Sequence, residues 1–170
     1  MNSEALRTLQ APLKDRYRER PEDARITLTA RGRFGDSLTC TLETGKALVE
    51  AGLHPATGGD GLAACSGDML LEALVACAGV TMRAVATALG TDVRGGTIRA
   101  EGTLDFRGTL AVAKDVPVGF QHIRPSFDLD TDASLEQRAT LIRLTERYCV
   151  VYQTLRTPPA INVSFGIVPP

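Results

Sequence analysis

Residues 68–89 constrain the fold of this chain more than any other stretch. Leu70, Leu71, Leu74, Cys77, Ala78, Thr81, Met82 and Val85 recur at the i, i+3, i+4, i+7 spacing of a helix. Ala73, Val75, Ala76, Gly79 and Val80 leave the remaining faces small or apolar as well. A helix apolar nearly all round has to be covered on every side. A chain of 170 residues has little with which to cover it, so a second subunit is expected to supply part of the cover. Gly90 closes the helix in the usual C-terminal position. Glu72 and Arg83 fall within the apolar run, so it does not read as a membrane span.

The flanking segments carry a different period. Leu6, Leu9 and Leu13 mark a polar N-terminal helix over 3–19, interrupted at Pro12. Arg25 to Arg31 alternates as a half-buried strand does, and Ser37–Leu42 and Lys46–Glu50 continue as a short antiparallel meander across turns at Gly35-Asp36 and Thr44-Gly45. Residues 52–67, with five glycines and a proline, predict a loop. After the long helix, Thr97–Phe106 and Phe120–Leu129 form a hairpin. Ser134 caps a second helix that runs to Tyr148 and continues, bent, to Leu155. Pro158-Pro159 ends it, and Ala160–Val168 predicts a last strand.

That order lacks the regular strand–helix alternation of a parallel doubly wound sheet. The class is α+β, with residues 1–20 as a helical extension and 21–170 as one domain. Basic and acidic residues number 19 and 20 and are spread along the chain, which leaves no electrostatic footprint for nucleic acid or an anionic membrane. The N-terminus shows no basic segment leading into an apolar core, so the expected location is the cytoplasm.

In that compartment Cys40, Cys65, Cys77 and Cys149 are expected to be reduced. Each is then either a small apolar core residue or a redox group. Cys40 alternates with its strand neighbours as a core residue does, and Cys65 falls in the loop. With no CxxC pair, and with His54 and His122 in unrelated segments, no metal site is indicated. The glycines at 58, 59 and 61 lack the strand and the Lys-Ser/Thr of a phosphate loop, and no cofactor is expected.

Two segments stand out. A Gly-rich lead-in with an acidic residue reaches Leu74-Val75-Ala76-Cys77 and continues to Thr81-Met82-Arg83; the second is Tyr148-Cys149-Val150-Val151-Tyr152-Gln153-Thr154-Leu155. Together, at this spacing and in this element order, they resemble the two cysteine segments of the OsmC/Ohr family, with a looser likeness over residues 25–168. The resemblance implies antiparallel sheets packed around a central buried helix in an intertwined homodimer. It also implies a cysteine peroxidase acting on organic hydroperoxides, with Cys77 peroxidatic and Cys149 resolving, restored by an external dithiol (a lipoylated protein in the better-studied branch).

The family's helpers are an arginine from the N-terminal meander and an acidic residue ahead of the first cysteine. Here these are Arg31 or Arg33, between which spacing does not choose, and Asp68 in place of the usual glutamate. Asp68 is equally readable as a helix N-cap. Nine residues before Cys77, it would sit on the opposite face of a continuous helix. Val150 stands where the family commonly has proline. Those departures keep a second reading open, a redox-inert OsmC-like protein holding an apolar small molecule in its dimer pocket.

Overall fold

The structure is a computed structural model that describes residues 2–5, 7, 8, 10, 11, 19, 20, 31–34, 39–44, 47–111 and 113–166, with 31–34, 39–44, 47 and 48 described by their backbone. Strands β1 (Arg31–Phe34), β2 (Thr39–Thr44) and β3 (Ala47–Gly52) form an antiparallel meander, with Arg33 opposite Thr41 and Leu42 opposite Val49; β2 and β3 fall near their expected positions, whereas β1 starts at Arg31, where the expected first strand ends. A two-residue strand β4 (Ala64–Cys65) joins β3 in parallel. The predicted loop between them is partly ordered by a 3-10 turn over Pro55–Thr57, which His54 caps by accepting the Ala56 N–H at Nδ1, 3.0 Å away. A Cβ on Gly59 would fall 1.8 Å from the Leu53 carbonyl oxygen, so the return of this loop requires glycine.

Helix α1 (Ser66–Leu89) is the apolar helix of the sequence, and Gly90 ends it in the left-handed conformation at φ 66°. It starts two residues earlier than its pattern suggests. Cys65, extended at φ −79° and ψ 127°, holds the N-cap position, so Asp68 is a first-turn residue and not the cap. Leu74, Ala78, Met82, Val85 and Ala86 form its buried face. By length and composition α1 could cross a membrane, yet this face is packed into the core by the elements that follow. The opposite face, with Leu70, Ala73, Ala76, Val80 and Ala84, is exposed on the chain; Val80 is 74% accessible.

Strands β5 (Gly95–Thr103) and β6 (His122–Asp130) pair antiparallel from Gly95–Asp130 to Thr103–His122. Their period-two pattern turns Ile98, Ala100, Ile123 and Phe127 toward α1. A one-turn helix, α2 (Phe106–Thr109), lies in the connection. Helix α3 (Leu135–Tyr148) opens with a capping box, in which the Ser134 side chain accepts the Gln137 N–H and the Gln137 side chain accepts the Ser134 N–H. Helix α4 (Val150–Arg156) follows after a single residue, Cys149.

Two apolar clusters hold α1 in place. Met82, Val85, Ala86, Val93 and Leu141 join α1 to α3; Leu74, Ala78 and Cys149 join it to α4, with Ile98, Ile123, Tyr152 and Leu155 around them. Fully burying a side chain such as Leu74 or Leu141 contributes roughly 1.5–3 kcal/mol.

The last predicted strand does not form. Residues 160–166 run without strand pairing, and Ile161, Val163 and Phe165 are 84%, 91% and 94% exposed. Their alternation is that of a strand, but a strand also needs a neighbouring edge, and this segment has none within the described residues. The predicted β-segment at 25–30, the turn at 35–36 and most of the N-terminal helix lie outside the described residues. Within the latter, residues 3–5, 7, 8, 10, 11 and 19 are helical.

Candidate functional site: a thiol pair

Cys149 exists as a separate position because two helices meet on it. Its N–H closes the last turn of α3 on Thr145 (2.9 Å), and its carbonyl opens α4 by accepting the Gln153 N–H (2.9 Å). Its own backbone is extended, at φ −73° and ψ 109°. The side chain acts as the N-cap of α4, Sγ accepting the Tyr152 N–H at 3.5 Å. That role normally falls to Ser, Thr, Asp or Asn. The residue is wholly inaccessible. One turn earlier the Thr145 hydroxyl donates to Met82 Sδ (3.5 Å), tying this end of α3 to α1.

Cys77 reaches the same place from the middle of α1. Its sulfur packs against Cys149, and the backbone of Val151 and Val150 at the start of α4, with the side chains of Cys149 and Thr81, favours its charged form. Thr81 is four residues further along α1 and therefore on the same face. Both cysteines are free thiols. Burial pushes the Cys77 thiol up, but these donors together outweigh it and the net displacement is downward. Burial also pushes Cys149 up. The Tyr152 N–H opposes this, but donating to Cys77 and facing its charge add to the rise, and Cys149 ends above the ordinary range. Of the two thiols, Cys77 is therefore the readier to ionise. A thiolate beside a protonated thiol is the arrangement that nucleophilic attack followed by disulfide closure needs.

Asp68 is exposed in the first turn of α1, half a helical turn away from the Cys77 face. Arg31 and Arg33 lie in β1, opposite Glu43 and Thr41, and their side chains, like that of Cys40, lie outside the description. Cys65 is half-buried and free at the N-terminus of α1. Arg83 donates to the Val93 carbonyl and so anchors the loop after α1. His54 caps its turn and stacks on Phe106, ring centroids 4.9 Å apart. Among the described residues, no three His, Cys, Asp or Glu side chains gather as a metal site would require.

The donors at Val150, Val151 and Thr81 were missed from sequence. Thr81 was findable, since i, i+4 from a helical cysteine is a short list; backbone donors arriving from another helix leave no side-chain signature.

One groove, about 590 Å³, is lined by Arg147, Tyr148, Cys149, Val150, Gln153 and Thr154. Another of about 330 Å³ runs between Leu74, Phe120, Ile123, Pro125, Tyr152 and Leu155, with His122 and Arg156 also lining it. A cavity of about 520 Å³ lies between Leu53, Cys65, Asp68, Phe106 and Phe120. Neither of these last two is lined by Cys77 or Cys149.

Fold and site together define a small α+β domain built around a thiol pair, Cys149 buried and Cys77 half-buried. The family model for OsmC-like protein matches residues 58–164, and the chain belongs to that family. Among solved structures it is similar to an OsmC-like protein from Mycoplasma pneumoniae (TM-score 0.66, 14% identity, 78% of this chain and 89% of that one). It is also similar to an organic hydroperoxide resistance protein OsmC from Legionella pneumophila (0.58, 15%, 78% and 90%). A third is the organic hydroperoxide resistance protein OhrB of Bacillus subtilis (0.53, 18%, 78% and 93%). At these identities the likeness is one of fold. Comparison with curated proteins gave no match.

Proposed function

We propose that this protein is a thiol-dependent peroxidase that reduces organic hydroperoxides through Cys77 and Cys149. The observation that carries this is the packing of Cys77, in the middle of α1, against the buried Cys149 at the α3–α4 joint, both as free thiols. Two of the similar folds are organic hydroperoxide resistance proteins, which fits.

The Cys77 thiolate attacks the distal peroxide oxygen, the O–O bond breaks, and the alkoxide leaves and takes a proton to become the alcohol. Cys77 is then a sulfenic acid. The Cys149 sulfur attacks it, its thiol proton leaves with the hydroxide as water, and the disulfide forms. A dithiol, such as a lipoyl group on a protein, reduces the disulfide and is itself oxidised. Arg31 or Arg33 and Asp68 are the family's helpers in this scheme, with the arginine adding positive charge near Cys77. The apolar walls of the groove at Leu74, Ile123, Tyr152 and Leu155 suit an alkyl tail.

The working form in this proposal is a homodimer. The exposed apolar face of α1 and the unpaired alternating segment at Ile161, Val163 and Phe165 are the surfaces a second chain would cover. A reversible dithiol cycle suits the reducing cytoplasm.

The cavity near Cys65, remote from the pair, supports a second reading, a redox-inert protein binding an apolar small molecule. A free-thiol count before and after one equivalent of cumene hydroperoxide, with peptide mapping, separates the two. Rapid loss of two thiols mapping to Cys77–Cys149 is expected. Survival of all the thiols would replace the peroxidase with the binding protein.

A further inference from the structure

The two sulfurs do more than face each other. Val150, Val151 and Tyr152 are the first three residues of α4, and the first N–H groups of any helix have no partner within it. Here Tyr152 donates to the Cys149 sulfur at 3.5 Å, and Cys77 packs against Cys149, its charged form favoured by the backbone of Val151 and Val150. The opening turn of α4 is therefore capped by Cys149, to which solvent has no access, with Cys77 beside it.

We propose that disulfide formation between Cys77 and Cys149 uncaps α4 and loosens its first turn, opening the Cys149 side of the bond to the incoming dithiol. This rests on the peroxidase reading for its purpose, though not for its mechanics. A disulfide requires the sulfurs to close to about 2.05 Å with a specific torsion, so at least one must leave the position from which it now receives its donors. A disulfide sulfur is also neutral and a weaker acceptor than the thiolate it replaces. The turn that loses its caps belongs to a helix of seven residues, held to α1 and β6 mainly by Val151, Tyr152 and Leu155. So short a helix has little intrinsic stability.

Loosening has a direction. Arg147, Tyr148, Gln153 and Thr154 line a groove over Cys149, with Val150 beside them at 72% exposure. When the first turn of α4 opens, the sulfur of Cys149 becomes reachable from this groove. The reduced enzyme keeps it shut away, where a stray oxidant would otherwise find it. The consequence is access that depends on redox state: the disulfide is open to its reductant, and the thiols are shielded.

Hydrogen exchange read by mass spectrometry tests this on the full chain carrying Cys40→Ser and Cys65→Ser, so that one disulfide alone can form. Diamide makes the bond, and peptide mapping verifies it, without relying on any reaction with peroxide. Amides 150–153 should exchange at least tenfold faster in the disulfide form, while those of α3 before Thr145 keep their protection. The same treatment of a further Cys149→Ser variant should leave α4 protected, because no bond can form. Unchanged or slower exchange at 150–153, equal acceleration throughout the domain, acceleration in the Cys149→Ser variant, or no bond under diamide would each overturn the proposal. If cumene hydroperoxide leaves the thiols intact while the diamide-made bond still speeds exchange, the peroxidase fails and the uncapping stands.

Discussion

Cys149 packs against Cys77 in one apolar cluster while its own sulfur holds the N–H of Tyr152 at 3.5 Å. Their surroundings displace the two thiols in opposite directions, Cys77 downward and Cys149 upward.

Removal of either cysteine should therefore give different defects. Cys77→Ser should lower consumption of an organic hydroperoxide at least a hundredfold. Cys149→Ser should allow one turnover and then stop, with a sulfenic acid at Cys77 that dimedone labels. Steady turnover by Cys77→Ser in a ferrous-oxidation peroxide assay would show that the roles are misassigned.

The pH profile follows from the direction of the shifts. Only thiolate alkylates readily, and a free thiol titrates near ~8.5. Cys77 lies below its ordinary value, so its iodoacetamide rate should reach its plateau at a lower pH than a free thiol, and fall as pH drops through the folded value. Cys149 is displaced upward and should react slowly until well above that range. Site-resolved alkylation by mass spectrometry reads both, and a reversed order would contradict the polarity of the pair.

Val150→Pro isolates one donor. Proline suits the first position of a helix, and Cys149 already has the extended backbone that a following proline favours. Folding stability should stay within about 1 kcal/mol of the parent, as a compatible proline substitution does. The missing N–H should nevertheless move the Cys77 alkylation profile to higher pH. An unmoved profile would mean that Val151, Cys149 and Thr81 suffice.

The core has its own test. Leu141 is fully buried between α3 and α1, and Leu141→Ala should cost about 2–5 kcal/mol in chemical denaturation. Ser134→Ala, which removes half of a capping box, should cost about 1 kcal/mol. A larger loss at Ser134 than at Leu141 would misplace the weight of the fold.

The uncovered face of α1 predicts assembly. The parent chain should sediment as a dimer, and Val80→Glu should shift it toward monomer by placing a charge on the exposed apolar face. A parent chain that sediments as a monomer would remove the dimer from the proposed function.

Much of this was readable in advance. The long apolar helix, its stop at Gly90, the hairpin and the cap at Ser134 all follow from local periods and capping chemistry, and each forms near its expected boundary. Ala160–Val168 shows the limit of that method: its alternation is a strand's, but pairing depends on an edge that no local pattern reveals. At the site, the two cysteines were legible as residues. That α4 would bring two backbone donors to Cys77 was not, because it depends on how α3 and α4 pack across α1. Cys65 as a helix cap was equally hidden, since cysteine is not a residue one expects there.

The single-residue joint at Cys149 sets what can and cannot change in this chain. The connection between β5 and β6 can lengthen or shorten with little effect on the thiols, because the hairpin ladder absorbs it. One residue inserted within α3 would instead swing Cys149 by about 100° around the helix axis, away from Cys77 and with α4 in tow. The pair is set by angular phase and not by distance along the chain, so changes of length should be harmless in the loops and disruptive from Ser134 onward.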